Sequence, residues 1–432
     1  MNILLISHYA GAPQYGMEFR SYYMAREWVR QGHHVTIVGA SYSHLRHKQP
    51  PLGEENLEGI RYLWLPTSTY QGNGLARVRT MFQFVIQVFR RSRELADILN
   101  TPRTDTEVST EKNIQNLKTS QSENLKNLVI ASSVYTFDIY PCRRIARLAH
   151  AKLIYEVHDL WPLSPMIIGG YSKWHPFIWL LQRGENYAYR HCDMVVSIID
   201  KSLPHMQRHG LTPDRFCCIP NGYLPQEWEQ LDTLTLPQQH LHAIHTLRQQ
   251  NKTLIGFAGG HTQSTAMHIL IQAAKTLQSR TDLTFILVGD GPQKAQLIQL
   301  TQDLHLSNVT FLPPIPKDTI PLLLTQFDIC YAGGVHSLLH QYGTSFNKIT
   351  DYMLAAKPII FSVDEPDSLV QRVGCGLQVE AENTAQVAQA ILQLADLPPQ
   401  QRDAMGTKGR NYATQNLQYP ILAKQFLQSC NQ

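Results

Sequence analysis

The sequence predicts an α/β protein built from two Rossmann-like domains in tandem, and three observations predict it. Short β-branched and aliphatic runs bounded by turn residues alternate with longer amphipathic stretches, the arrangement of βαβ units with parallel sheets. The series occurs twice along the chain. A polar, proline-bearing stretch separates the two series.

In the first series the strand candidates are residues 2–7 (NILLIS), 34–39 (HVTIVG), 127–132 (NLVIAS), 152–157 (KLIYEV), 193–198 (DMVVSI) and 215–220 (RFCCIP). In the second they are 253–259 (TLIGFAG), 283–289 (LTFILVG), 308–313 (NVTFLP), 328–333 (DICYAG), 357–362 (KPIIFS) and 374–380 (GCGLQVE). The predicted domains are therefore 1–222 and 251–415, joined by a linker at 223–250 and followed by a segment at 416–432. Residues 101–124 are polar without an apolar period and read as a mobile surface insertion in the first domain. Ligands of such sheets bind beyond the carboxyl ends of the strands.

The chain has 432 residues, 43% hydrophobic and 17% charged, an ordinary globular composition for two or three domains. No apolar run approaches the roughly 20 residues that span a bilayer, and the opening MNILLIS lacks a basic segment and a cleavage site. The protein reads as cytoplasmic. Its seven cysteines are scattered without a CxxC pair and read as reduced core residues, with no zinc site. The net charge of +4 hides an asymmetry: residues 1–222 hold 25 Lys/Arg against 18 Asp/Glu, or +7, which leaves −3 for the rest. The first half is the one that faces something anionic.

Two glycine turns in the second series, Gly259-Gly260 in FAGG and VGDGP at 288–292, suit backbone approach to a phosphate; plain tight turns are the other reading. In YGTSFNKITDYMLAAKP, residues 342–358, Thr344 or Ser345 is a plausible N-cap. That puts Asn347 and Lys348 in a first helical turn and Asp351 one turn later on the same face. A lysine there opposes the positive end of the helix dipole, a mismatch of about 0.3–1 kcal/mol. A diphosphate held by Lys348, with Asp351 on the ribose diol, accounts for the mismatch. A Lys348–Asp351 surface pair does not. No DxD pair of the kind that holds a metal-bound diphosphate occurs.

The ordered set GHHVTIV (32–38), YEVHDLWP (155–162), IPNGY (219–223), VGDGP and NKITDYMLAAKPII (347–360) resembles the retaining, nucleotide-sugar-dependent glycosyltransferases of family 4. More closely it resembles the branch that builds bacterial capsule, exopolysaccharide and O-antigen (lipopolysaccharide) units. The resemblance implies the GT-B fold: two Rossmann-like domains facing each other across a cleft, the acceptor bound by 1–222, the nucleotide sugar by 251–415, and residues 416–432 forming a helix that crosses back. It implies a UDP- or GDP-linked hexose or N-acetylhexosamine donor, a lipid-linked saccharide acceptor, no nucleic acid, no cofactor and no metal. His158 falls where the family's histidine meets the donor sugar, and Asp351 where the second glutamate of its E-x7-E motif contacts ribose. The first glutamate of that motif falls at Gly343. Ser345, Asn347 and Lys348 fall at the donor phosphates, as does Gly16, for which a helix N-cap is the equal alternative. After FAGG only His261 is offered where the family often places two cations, with Arg20 as a second candidate.

Residues 74–95 space Val78, Met81, Phe82, Val85, Val88 and Phe89 on one helical face beside five arginines, a pattern that suits either an anionic membrane surface or a core helix with a basic edge. The +7 half-charge favours peripheral contact with the inner face of the plasma membrane. A nucleotide-sugar 2-epimerase of the same fold and a non-catalytic sugar-nucleotide binder are the rival functions.

Overall fold

The computed structural model describes residues 1–16, 19–72, 74–101 and 127–431, so the insertion read at 101–124 lies outside the described residues from 102 onward. The chain divides into two units, Met1–Pro220 with Tyr419–Gln432, and Asn221–Gln418.

The first unit holds strands β1 (Asn2–Ile6), β2 (His34–Ala40), β3 (Gly53–Leu57), β4 (Ile60–Leu65), β5 (Leu128–Ala131), β6 (Lys152–Val157), β7 (Met194–Ser197) and β8 (Phe216–Cys218). They form one sheet in the order β3-β4-β2-β1-β5-β6-β7-β8. Every pairing is parallel except that of β3 with β4. β1 pairs with β2 on one side and β5 on the other, so the chain reverses its winding at β1/β5, where the loops diverge. The β3–β4 hairpin is absent from the sequence reading. Its turn, Glu58-Gly59, has φ of 50° and 82°, as a two-residue hairpin turn requires, but β3 is polar and largely exposed and carries no apolar alternation.

The second unit holds β9 (Thr253–Ala258), β10 (Leu283–Val288), β11 (Val309–Leu312), β12 (Ile329–Gly333), β13 (Ile359–Ser362) and β14 (Gly376–Val379), all parallel, in the order β11-β10-β9-β12-β13-β14. Its switch point lies between β9 and β12. Side chains alternate strictly between two cores: Leu254, Ile286, Cys330 and Phe361 enter one, and Ile255, Phe285, Ile329 and Ile360 the other. Burial on both faces is why these strands read as unbroken apolar runs.

Residues 223–250 carry two 3-10 turns and a helix, Gln238–Gln249. Ile244 of this helix joins the core with Leu254, and the His240 ring lies 2.9 Å from the Pro313 carbonyl. The stretch therefore packs as part of the second unit, its polar composition hiding one short buried stripe. The final helix, Tyr419–Asn431, packs in the first unit: the Trp28 indole donates to the Ala423 carbonyl at 3.1 Å, and Phe426 lies against the Trp28 ring. All seven cysteines are free thiols. Among the described residues no helix is long and apolar enough to cross a membrane.

Candidate active site

In the second unit the loops after β9 and β10 press together on one side of the switch point. The Gly259 N–H donates to the Val288 carbonyl, and the His261 N–H to the Asp290 carbonyl. A Cβ at Gly289 would fall 2.0 Å from the Gly259 oxygen, so only glycine fits. Gly259 itself sits at φ +145°. With the Gly259 N–H already engaged, Gly260, which is exposed, is the glycine open to a ligand.

The helix Asn347–Leu354 begins beside this pair of loops. Phe346 occupies the cap position without a side-chain cap, so neither Thr344 nor Ser345 is the N-cap expected from the sequence. The Thr344 hydroxyl instead donates to Glu365. Ser345 is half-buried. Asn347 accepts from Asn221 at 3.0 Å, tying the IPNGY segment to the start of the helix.

Lys348 is half-buried, with its ammonium 4.2 Å from the centre of the Phe257 ring and 3.5 Å from where a Gly259 Cβ would stand. Among the described residues it has neither a hydrogen bond nor an ion pair. Burial draws its pKa down to about 8, against the pull of Asp351. The cation stands at a helix N-terminus, where the first N–H groups also lack intrahelical partners, an arrangement able to hold an anion. Burial and the nearby Glu227 push the Asp351 carboxyl up to about 7, while Lys317 and Lys348 oppose the rise. This carboxyl sits one turn below the ammonium, within the range where it exchanges hydrogen bonds with a diol.

His261 is not the exposed clamp that its place after FAGG suggested. It is fully buried between the Phe257 and Phe311 rings, and burial, then Lys294, lowers its pKa. Gly343, at φ +99°, closes the 3-10 turn Leu338–Tyr342 in a conformation that excludes the motif's glutamate. Glu365, 4% exposed and bound to Thr344, brings a carboxylate to this stretch from the end of β13. Sequence reasoning passed over it inside DEPD; its place just past a parallel strand's carboxyl end was the available signal.

In the first unit His158 follows β6, and Glu156 lies two residues earlier on the same face of the strand. Glu156 accepts from Arg20 Nε on Oε1 at 3.0 Å and from the Ser132 hydroxyl on Oε2 at 2.6 Å, and the His158 Nε2 stands 3.2 Å from that same Oε2. Ser132 Oγ also lies 2.9 Å from His158 Nε2. Since the Ser132 proton serves Glu156, these two acceptors assign the imidazole proton to Nε2 and leave Nδ1 as the outward nitrogen. Burial would raise the Glu156 carboxyl, but the Arg20 charge and the hydrogen bonds from His158 and Ser132 outweigh it and hold the group well below the usual carboxylate range.

Arg20 is 6% exposed, and its remaining nitrogens donate to the Pro220 and Ile219 carbonyls. This makes it the counter-charge of Glu156 and not a second open cation for a diphosphate. Gly16 closes the turn Pro13–Tyr15 at φ 79°, where a Cβ would fall 2.6 Å from the His47 ring. It is a tight-turn glycine after β1.

The helix read at 74–95 is two helices, Leu75–Arg90 and Ser92–Asn100. Met81, Phe84 and Val88 are buried, while Leu75, Phe82, Ile86 and Phe89 form a separate exposed stripe. Arg77 is drawn inward to the Tyr9 hydroxyl.

Two parallel-sheet units of this kind define the GT-B fold, and comparison with known proteins agrees. Over 99% of both chains the structure superposes with TM-score 0.63, at 16% identity, on Anabaena Alr3699/HepE, whose crystal structure is a complex with UDP and glucose. Residues 252–396 match the family described as glycosyl transferases group 1. The chain is a glycosyltransferase. It is 23% identical over 303 residues to the putative colanic acid biosynthesis glycosyl transferase WcaI of Escherichia coli K12, covering 66% of this chain and 69% of that protein. It is 27% identical over 155 residues to 2-deoxystreptamine glucosyltransferase of Streptomyces kanamyceticus, but this covers only 35% of this chain and 38% of that protein.

Proposed function

We propose that the protein is a retaining glycosyltransferase that moves a sugar from a nucleotide diphosphate to a lipid-linked saccharide in cell-surface polysaccharide synthesis. The observation that carries the reading is Lys348: an uncompensated, half-buried ammonium at a helix N-terminus beside a glycine turn. That is the arrangement a departing diphosphate needs and a resting protein does not. Asp351 holds the ribose, and Lys348 with the helix N-terminus takes the leaving charge in place of a metal ion. His158, held by Glu156 and Ser132, meets the donor sugar. Attack of the acceptor hydroxyl on the sugar face left by the diphosphate, with the proton passing to a leaving phosphate oxygen, retains the anomeric configuration. The colanic acid assignment of WcaI and the UDP complex of HepE support the polysaccharide and UDP choices.

The test is a thermal-shift screen of UDP, GDP, ADP and their sugars, followed by assay of the best donor with a polyprenyl-linked acceptor. One nucleotide sugar raises the melting temperature, because a ligand bound only by the folded state stabilises it, and transfer retains the donor's anomeric configuration. Stabilisation without transfer to any acceptor would favour the non-catalytic binder.

The acceptor's lipid brings the first unit to a membrane. Besides the stripe of Leu75, Phe82, Ile86 and Phe89, the turn around residue 170 exposes Ile168 (76%) and Trp174 (81%), with Lys173 over the Trp174 ring and Arg183 over Trp179. Aromatic rings flanked by cations suit the headgroup layer, each cation there contributing about 1 kcal/mol against anionic lipid. Changing Arg90, Arg91 and Arg93 to Gln is expected to lower co-sedimentation with anionic vesicles at low salt, while Trp174→Ser weakens binding at any salt. Equal binding of the wild type to neutral and anionic vesicles would reduce the basic edge to a solvated face.

A further inference from the structure

After β7 the chain forms a short helix, Leu203–Arg208, capped by His209, so His205 and His209 stand one turn apart on one face. Across from them is the helix Pro176–His191, which carries Gln182, Glu185, Asn186 and Tyr189. One donor atom each from Glu185, His205 and His209 lies within 4.8 Å of the others. Glu185 is 1% exposed and His205 6%, whereas Gln182, Asn186 and His209 are half-buried and give a path from solvent.

We propose that Glu185, His205 and His209 form a binding site for a divalent transition-metal ion of the zinc class. Two imidazoles and a carboxylate are a donor set zinc accepts, and the His-x3-His spacing puts two of them on one side of a helix. The surroundings are those of a prepared site. The Tyr189 hydroxyl donates to Glu185 Oε1 at 3.1 Å, fixing the carboxylate from behind, and His205 Nε2 lies 2.8 Å from the same oxygen.

Two oxygens, Glu185 Oε2 and Asn186 Oδ1, stand 2.5 and 2.8 Å from the amide nitrogen of Gln182, and His209 Nδ1 stands 3.0 Å from both that nitrogen and Asn186 Oδ1. A neutral side chain with two N–H groups fills this place, and a cation matches the oxygen density there better. Metal–ligand bonds of about 2.0–2.2 Å require the ligands to close in, with His209 swinging at the helix end and Gln182 moving out. The ion would take the place of the hydrogen bond between His205 and Glu185. It would staple the two helices within the first unit and stands independently of the donor reading.

The experiment titrates EDTA-treated full-length protein with Co2+ and then displaces it with Zn2+. The expected result is one equivalent of Co2+ with the visible bands of a tetrahedral site, abolished by Zn2+. In His209→Ala, a half-buried position that spares the fold, these bands are absent and Zn2+ affinity falls at least tenfold. Gln182→Ala, which removes the competing amide, keeps or strengthens the bands. Wild-type protein without such bands, or with bands unchanged in His209→Ala, would overturn the proposal and leave the cluster as a hydrogen-bond network alone.

Discussion

Lys348→Met lowers affinity for the donor by about 10- to 100-fold, the worth of one charge-assisted bond to phosphate, while the unliganded protein becomes more stable. Both effects come from the same cause. In the folded chain the Lys348 pKa is about 8 against 10.5 unfolded, so between these values the unfolded state binds more protons and stability rises with pH. Below pH 8 the full cost of burying the charge is present, and removing it gains about 1–2 kcal/mol once solvent screening of a half-buried group is allowed for. The bound diphosphate reverses the shift. Wild-type affinity for a nucleotide sugar therefore falls as pH rises above 8, and calorimetry in two buffers of different ionisation heat should show proton uptake there. Loss of neither affinity nor pH dependence in Lys348→Met would remove the phosphate role.

His158→Ala reduces turnover by about 10²- to 10⁴-fold with nucleotide affinity nearly unchanged, since its role lies at the sugar. Glu156→Gln acts on the same histidine but by another route. It leaves Arg20 buried without its counter-charge, a loss of about 3–5 kcal/mol of stability, and frees the ring that Glu156 and Ser132 orient. Steady-state kinetics together with urea unfolding separate the two: His158→Ala loses kcat without stability, and Glu156→Gln loses both. Parallel loss of kcat and nucleotide affinity in His158→Ala would identify a structural histidine.

Each of the twelve strands read from the sequence overlaps a strand of the structure, because residues buried on both faces of a parallel sheet must be apolar without interruption. β3 escaped because it is an exposed, polar edge strand without apolar alternation; β4, a buried apolar run, was open to the same reading as the other strands and was passed over. The place of Lys348 in a first helical turn was legible for a different reason: a cation at a helix start conflicts with a local rule, and such a conflict singles a residue out as a candidate. The partners of His158 were not legible. Glu156 is a strand neighbour at spacing two, but Ser132 and Arg20 meet it only through sheet order, from residues 24 and 136 positions away. The N-cap assignment failed because Thr344 had a better acceptor in Glu365, which local sequence does not reveal.

The last helix has a consequence for how the protein is made. Trp28 enters the chain early, yet the carbonyl that receives its indole proton belongs to Ala423, almost four hundred residues later. On the ribosome the first unit's sheet can pair as soon as β8 has emerged, but the flank bearing Tyr23 and Trp28 stays uncovered through synthesis of the entire second unit. The nascent chain therefore carries an exposed aromatic face through synthesis of the entire second unit, and its first-made unit closes only once the helix Tyr419–Asn431 has emerged.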